Sequence, residues 1–264
     1  NEWKKVGPEK SWNSTEHEYF YKWRNDLMER RSKLNDQILR RQKAILNGNK
    51  ITSEIWNYGS ISSPGNRVTD IVWEGLGYGY EFGPFIGAVV PVPAGSHQDA
   101  YQKIDADGNP VLDDNGNPIW LARVISDGLV SLGGEISPDG KTFYGWEPLA
   151  FNEQGVPYGD PNSTRIPTSN DVDRSGDGKP DSWPEGWYNA NLKRHVWPGA
   201  LRQGSSNSDL ESFFVVDDRS NKEFKYYPFP NDSTRMGLGI EIECRYYQWS
   251  NPLAEDVVFL IYKV

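Results

Sequence analysis

The chain has 264 residues and a formal net charge of −9; 36% of residues are hydrophobic and 13% aromatic, with 11 Trp and 14 Tyr. This length suits one large domain or two small ones with a sizeable core, and the aromatic content argues against wholesale disorder. No apolar run reaches about 18 residues, which excludes membrane insertion through a helix, and a single Cys excludes an intramolecular disulfide framework.

Charge is unevenly spread. Residues 1–50 hold 12 Lys and Arg against 7 Asp and Glu, while the remainder holds 16 against 30. A nucleic-acid partner requires a basic face on the folded body, so none is expected. The basic stretch reads either as a solvated helix face or as a site of attraction to the acidic body of another copy. The chain begins at Asn1, as a processed mature end or an excised fragment would.

Thr15 with Glu18 fits a capping box, and no Gly or Pro follows until Asn47-Gly48-Asn49, a good helix stop. Phe20, Trp23, Leu27, Leu34, Ile38 and Ile45 fall on one stripe. The spacing therefore predicts a long amphipathic helix over residues 16–47, within an N-terminal segment 1–50. Arg30, Arg31 and Arg41 break the heptad, so the helix is expected to lie along its own fold or a neighbour's.

The period changes after residue 50, where a β-rich body, 51–264, is expected. Ile51–Tyr58 and Arg67–Trp73 read as strands. In Glu74–Gly83, Gly75, Gly77, Gly79 and Gly83 share one face of an extended segment, and Leu76, Tyr78, Tyr80 and Phe82 the other. Asp105–Pro110 and Asp113–Pro118 form an imperfect repeat whose Asn and Gly suit tight turns, which predicts successive hairpins over 101–124. Residues 148–182 read as a long loop. In 238–249, Leu238, Ile240, Ile242, Cys244 and Tyr246 alternate with mostly polar neighbours, the pattern of a half-buried antiparallel strand with Cys244 as a buried hydrophobe. Val257–Tyr262 is continuously apolar and predicts a strand covered on both faces. Together these elements predict a mainly β fold, an antiparallel sandwich-like body preceded by one long helix.

One constellation carries chemistry. Ca²⁺ takes six to eight oxygens, which a loop supplies from alternate residues around a Gly turn. With Asp173 as the first loop position, Ser175 is third, Asp177 fifth, Gly178 the turn, Lys179 offers its carbonyl and Asp181 is ninth; Asp171, just before the run, is a further candidate ligand. The bidentate Glu of a helix-loop-helix switch is missing, because Pro184 stands at its position and Glu185 follows. A structural Ca²⁺ site near 171–185 is the expectation, and a solvated acidic loop is the alternative. The run resembles the calcium loops of thrombospondin type 3 repeats and their bacterial counterparts, with Ser175 in one Asp slot and Trp183 as the aromatic that follows; the resemblance covers about 15 residues. A wider resemblance, carried by Gly65–Gly75, Asp177–Trp183, Trp197–Ala200 and Tyr226–Pro230, is to the N-terminal region of large bacterial surface proteins exported by type IX secretion. That likeness implies secretion to the cell surface and a chain continuing past Val264, and it supplies no catalytic residues.

Trp183, Trp187, Tyr188 and Trp197 gather around the loop in sequence. Such aromatics pack beneath a loop or stack on sugar rings, so surface glycans are a second class of partner. Glu241 and Glu243, roughly 7 Å apart on one strand face, are a carboxylate pair that a glycoside hydrolase could use, or simply a solvated face. The three His have no zinc spacing, His195 beside Lys193 and Arg194 reads as a surface residue, and there is no G-x-S-x-G elbow. The expectation is a non-catalytic, secreted structural or adhesive surface protein, self-associating as a fibre subunit. The alternative is a carbohydrate-binding module or glycoside hydrolase-like domain.

Overall fold

A computed structural model describes residues 41–62, 71–129, 136–138, 142–200 and 204–264. Thirteen strands and one 3-10 turn account for its regular structure, and no α-helix occurs among the described residues. All the sheets are antiparallel.

The first sheet has the order β1-β2-β3-β4, from β1 (Lys43–Leu46), β2 (Ile51–Trp56), β3 (Ile71–Trp73) and β4 (Leu76–Gly79). β1 corrects part of the helix expectation: Lys43–Leu46 pair with Ser53–Trp56 as a hairpin. Asn47-Gly48-Asn49 ends a helix or turns a hairpin equally well, and here it turns a hairpin. Leu46 and Ile55 then bury themselves in the main core. Residues 16–40 of the expected helix lie outside the described residues.

The second sheet has the order β13-β12-β11-β8, from β8 (Glu147–Pro148), β11 (Leu210–Asp217), β12 (Glu241–Gln248) and β13 (Phe259–Lys263). β11 is buried along its whole length. Leu210, Phe214 and Val216 join Leu46, Ile55 and Ile61 in the main core, together with Ile242, Cys244 and Tyr246 of β12. Phe213 and Val215 point the other way, into a second core of Trp183, Trp187 and Trp197. The alternation along β12 is as expected, except that Arg245, on its polar face, is also buried. β13 departs from expectation. Leu260 and Tyr262 pack on the core, but Phe259 and Ile261 remain exposed, so the strand is covered on one face only among the described residues.

A third sheet, β5-β7-β6, joins β5 (Phe85–Pro91), β6 (Tyr101–Gln102) and β7 (Trp120–Asp127). Between β6 and β7 the chain makes the two expected hairpins, with Ile104 bridging Pro110 and Leu112 bridging Pro118. A third turn of the same kind, unforeseen from sequence, closes Phe151 on Pro157. In each, one side-chain oxygen of the leading Asp or Asn accepts two backbone N–H groups: Asp105 from Asp107 and Asn109, Asp113 from Asn115 and Asn117, Asn152 from Gln154 and Val156. The fourth ladder, β9 (Tyr188–Asn189) with β10 (Arg194–His195), lies just beyond the acidic loop.

Candidate functional site: the acidic loop and its tryptophan floor

The loop leaves from the edge of β11. Ser169 N–H donates to the Glu211 carbonyl at 2.8 Å, and Glu211 N–H donates to Ser169 Oγ at 2.9 Å. The chain returns at Ser182 and Trp183, where the Trp183 indole N–H reaches back to the Thr168 carbonyl at 2.9 Å. The neck is closed by Ser182, whose N–H and Oγ both donate to Asp171 Oδ2, at 2.9 and 2.6 Å.

Within the loop Asp173 acts as the hub. Its Oδ1 accepts the N–H groups of Gly176 at 2.6 Å and Asp177 at 3.2 Å, and its Oδ2 accepts that of Gly178 at 2.9 Å. Gly176 and Gly178 have φ of 78° and 93°, values an L side chain rarely adopts, and these allow three successive amides to turn toward one carboxylate. The Gly178 amide, followed by burial working the other way and by the remaining donors, holds the Asp173 carboxyl below its usual value.

The outer carboxylates face guanidinium groups. Arg165 forks onto Asp171 with both bonds at 3.2 Å, and Arg174 donates to Asp171 Oδ1 at 3.1 Å. The same two arginines reach Asp181 Oδ2 at 3.1 and 3.3 Å, while Asp181 Oδ1 accepts the Arg174 and Ser175 amides. Burial pushes the Asp171 carboxyl up, but Ser182, the Val172 amide and Arg165 outweigh it and leave it depressed. Lys179 turns its ammonium inward to Asp160 Oδ2 at 3.1 Å, and its N–H donates to Asp177 Oδ1 at 3.1 Å.

The structure thus brings Asp171, Asp173, Ser175, Asp177, Lys179 and Asp181 onto one bend, with Asp171 and Asp181 sharing their cations and Asp173 occupied by amides. Among the described residues no group of three or more His, Cys, Asp or Glu is arranged to hold a metal ion. The donors are oxygens, the type a hard cation takes, while three of the four carboxylates, Asp171, Asp177 and Asp181, already have positive partners. Arg165, Arg174 and Asp160 were not singled out in the sequence, and only the two basic residues three positions after and six before Asp171 hint at them.

Beneath the loop the aromatics form a core. Trp183, Trp187 and Trp197 meet pairwise at ring-centroid distances of 5.4–5.8 Å and are buried with Phe213 and Val215. Their faces are spent on one another, so of the four aromatics considered for sugar stacking only Tyr188 is exposed. Trp197 donates its indole N–H to Glu211 Oε2 at 2.8 Å, and Glu211 Oε1 accepts from Arg245 at 2.6 Å. Arg245 also bonds Glu243 at 2.7 Å and lies 4.2 Å over the Phe213 ring. Glu243 is thereby committed to an ion pair, and Glu241 faces solvent. His195 corrects another expectation: its side chain is largely buried, beside Tyr188 and 3.5 Å from Glu185.

No helix among the described residues is long and apolar enough to cross a membrane. No protein-family model matches the chain, and no curated protein or solved structure shows significant similarity to it.

Proposed function

We propose that this chain is a secreted, extracellular structural or adhesive module of a bacterial cell surface. Its body is sandwich-like, the 171–185 loop is stabilised by Ca²⁺, and copies associate with one another. The observation that carries the reading is the loop itself. Its oxygens fall on alternate residues, its two left-handed glycines fold it around Asp173, and Trp183 fixes its exit to a tryptophan floor. Ca²⁺ would draw on Asp173, Ser175, Asp177, the Lys179 carbonyl and Asp181, with the half-exposed Arg174 side chain giving way to the ion. Two four-stranded sheets contributing to one apolar core support the sandwich-like description. The exposed outer face of the edge strand β13 supports self-association.

Calorimetry in Ca²⁺ against chelator tests the ion. With a site of extracellular affinity and Ca²⁺ at about ten times its Kd, the melting temperature is expected to rise by roughly 3–5 °C. An identical melting curve in both buffers rejects it. Light scattering at rising protein concentration tests association, and a constant monomer mass with Ca²⁺ present rejects that part.

A further inference from the structure

Asp160–Pro161 is the only Asp-Pro bond in the sequence, and such a bond is chemically weak. The β-carboxylate can close a five-membered ring on the carbonyl carbon of its own residue, and the proline nitrogen, part of a tertiary amide, leaves as a secondary amine. Here the fold adds to that weakness. The Asp160 carbonyl oxygen accepts a hydrogen bond from Gln42 Nε2 at 2.9 Å and another from the Ser163 N–H at 3.0 Å. These are two donors on the atom that gains negative charge during attack. Gln42 is fixed in place: the same Nε2 donates to the Ser163 carbonyl at 2.8 Å, and its backbone N–H and C=O both bond Asn57. The carboxylate is held as well. Its Oδ1 accepts the Asn162 N–H at 2.9 Å, and its Oδ2 accepts the Lys179 ammonium at 3.1 Å, on a side chain only 9% exposed. Asp160, Pro161 and Lys179 line a cavity of about 390 Å³, roomy enough for water.

We propose that the peptide bond between Asp160 and Pro161 is a self-cleavage site, cut by the chain's own groups and water. A carboxylate oxygen of Asp160 attacks the Asp160 carbonyl carbon, and Gln42 with the Ser163 amide stabilises the oxyanion that forms. As the oxyanion collapses, the C–N bond to Pro161 breaks. The nitrogen keeps the bonding pair and takes a proton from the Lys179 ammonium already held on the carboxylate. This leaves a cyclic anhydride at residue 160. Water from the cavity opens it into two carboxylates and frees two protons, one restoring Lys179 and the other charging the new prolyl amine. The net change is the addition of one water across the bond. Both products stay in one body, because the main core draws Leu46 and Ile55 from before the bond and Leu210 and Phe214 from after it. The result is a two-chain module with a new amino terminus at the cavity beside the acidic loop.

The test is incubation of the full-length protein at about pH 6, folded and in parallel unfolded in urea, followed by mass spectrometry under denaturing conditions. Two fragments are expected, one ending at Asp160 and one beginning at Pro161, and they should form at least about tenfold faster in the folded sample than in urea. An absence of fragments overturns the proposal. So does cleavage equally fast in urea, because the bond would then be only as weak as in any chain. Asp160→Glu keeps the charge but moves the carboxylate one carbon farther, and it should leave the chain intact over the same period. Cleavage that persists in that variant, as a contaminating protease would give, overturns the proposal too. Gln42→Ala should slow the folded reaction by about 100-fold, and an unchanged rate in a variant that melts like the parent overturns the assignment of the oxyanion donors.

Discussion

Two acidic, glycine-rich stretches of this molecule look alike in sequence and differ in construction. In the arm between residues 103 and 119, Asp105 and Asp113 each fold a turn by accepting the amides two and four residues ahead. The carboxylates serve their own turns, and Ile104 and Leu112 stay exposed. In the loop 171–182, Asp173 does the same local work, but Asp171 and Asp181 are gripped by Arg165 from outside the loop, Lys179 reaches Asp160, and the exit is buried at Trp183. Acidic spacing around glycine therefore specifies a turn. What makes one turn part of the fold's framework is the set of cations and aromatics that other segments bring to it.

The largest effect separating the two regions is expected from Asp171→Ala. Asp171 is only 3% exposed and partners two arginines and Ser182, so its loss strands buried donors and should cost about 3 kcal/mol, read by denaturant unfolding. A cost near zero would mean that the loop is as self-contained as the arm.

Arg174→Ala should act next. It removes one of the two cations that bridge Asp171 and Asp181, lowering stability in chelator while enlarging the Ca²⁺-induced rise in melting temperature. A reduced Ca²⁺ response would contradict competition between guanidinium and ion.

Acid should affect both regions with the same sign. Asp105, Asp113, Asp171, Asp173 and Asp181 are all held below their ordinary values by hydrogen-bond donors, with Arg165 adding to the effect at Asp171 and Asp181. A depressed carboxyl contributes stability above its unfolded pKa of about 3.9 and loses it as pH falls through the folded value. Burial raises Asp217 and Asp218, so their contribution is present below the unfolded value and fades as pH rises through the folded one. Amide exchange should thus show the loop and arm opening below about pH 4 while the Asp218 turn, bonded to the amides of 238–240, stays closed. If the Asp218 turn opens with the loop, the assignment of opposite signs fails.

Asp113→Ala should have the smallest effect. Exchange of the Asn115 and Asn117 amides should accelerate, with the global melting temperature unchanged within about a degree. A large global shift would show that the arm is tied to the core after all.

Much of the β architecture was legible in the sequence because it rests on local periodicity. Ile242, Cys244 and Tyr246 alternate into the core as their spacing predicts, and the two Gly-Asn-Pro turns, at 108–110 and 116–118, close as hairpins. The third turn was missed because Asn152 and Gln154 replace the acids, although the hydrogen-bond pattern is the same. The strand at Lys43–Leu46 was misread because Asn-Gly serves helix ends and hairpins alike, and pairing with β2 decides between them. The candidate loop was legible as a list of oxygen donors. Its arginine partners were not, because a list of donors does not say which distant cation will face them.

The order of residues alone determined where the backbone turns and which side chains alternate, since both follow from φ preferences and a two-residue repeat within a few positions. Tertiary packing decided the rest: that Trp183, Trp187 and Trp197 form a second core on β11, that Arg245 is buried against Glu211, and that Gly79 and Gly83 close on Ile71 and Leu129. Each depends on groups far apart in the chain excluding water together, and no local pattern encodes that.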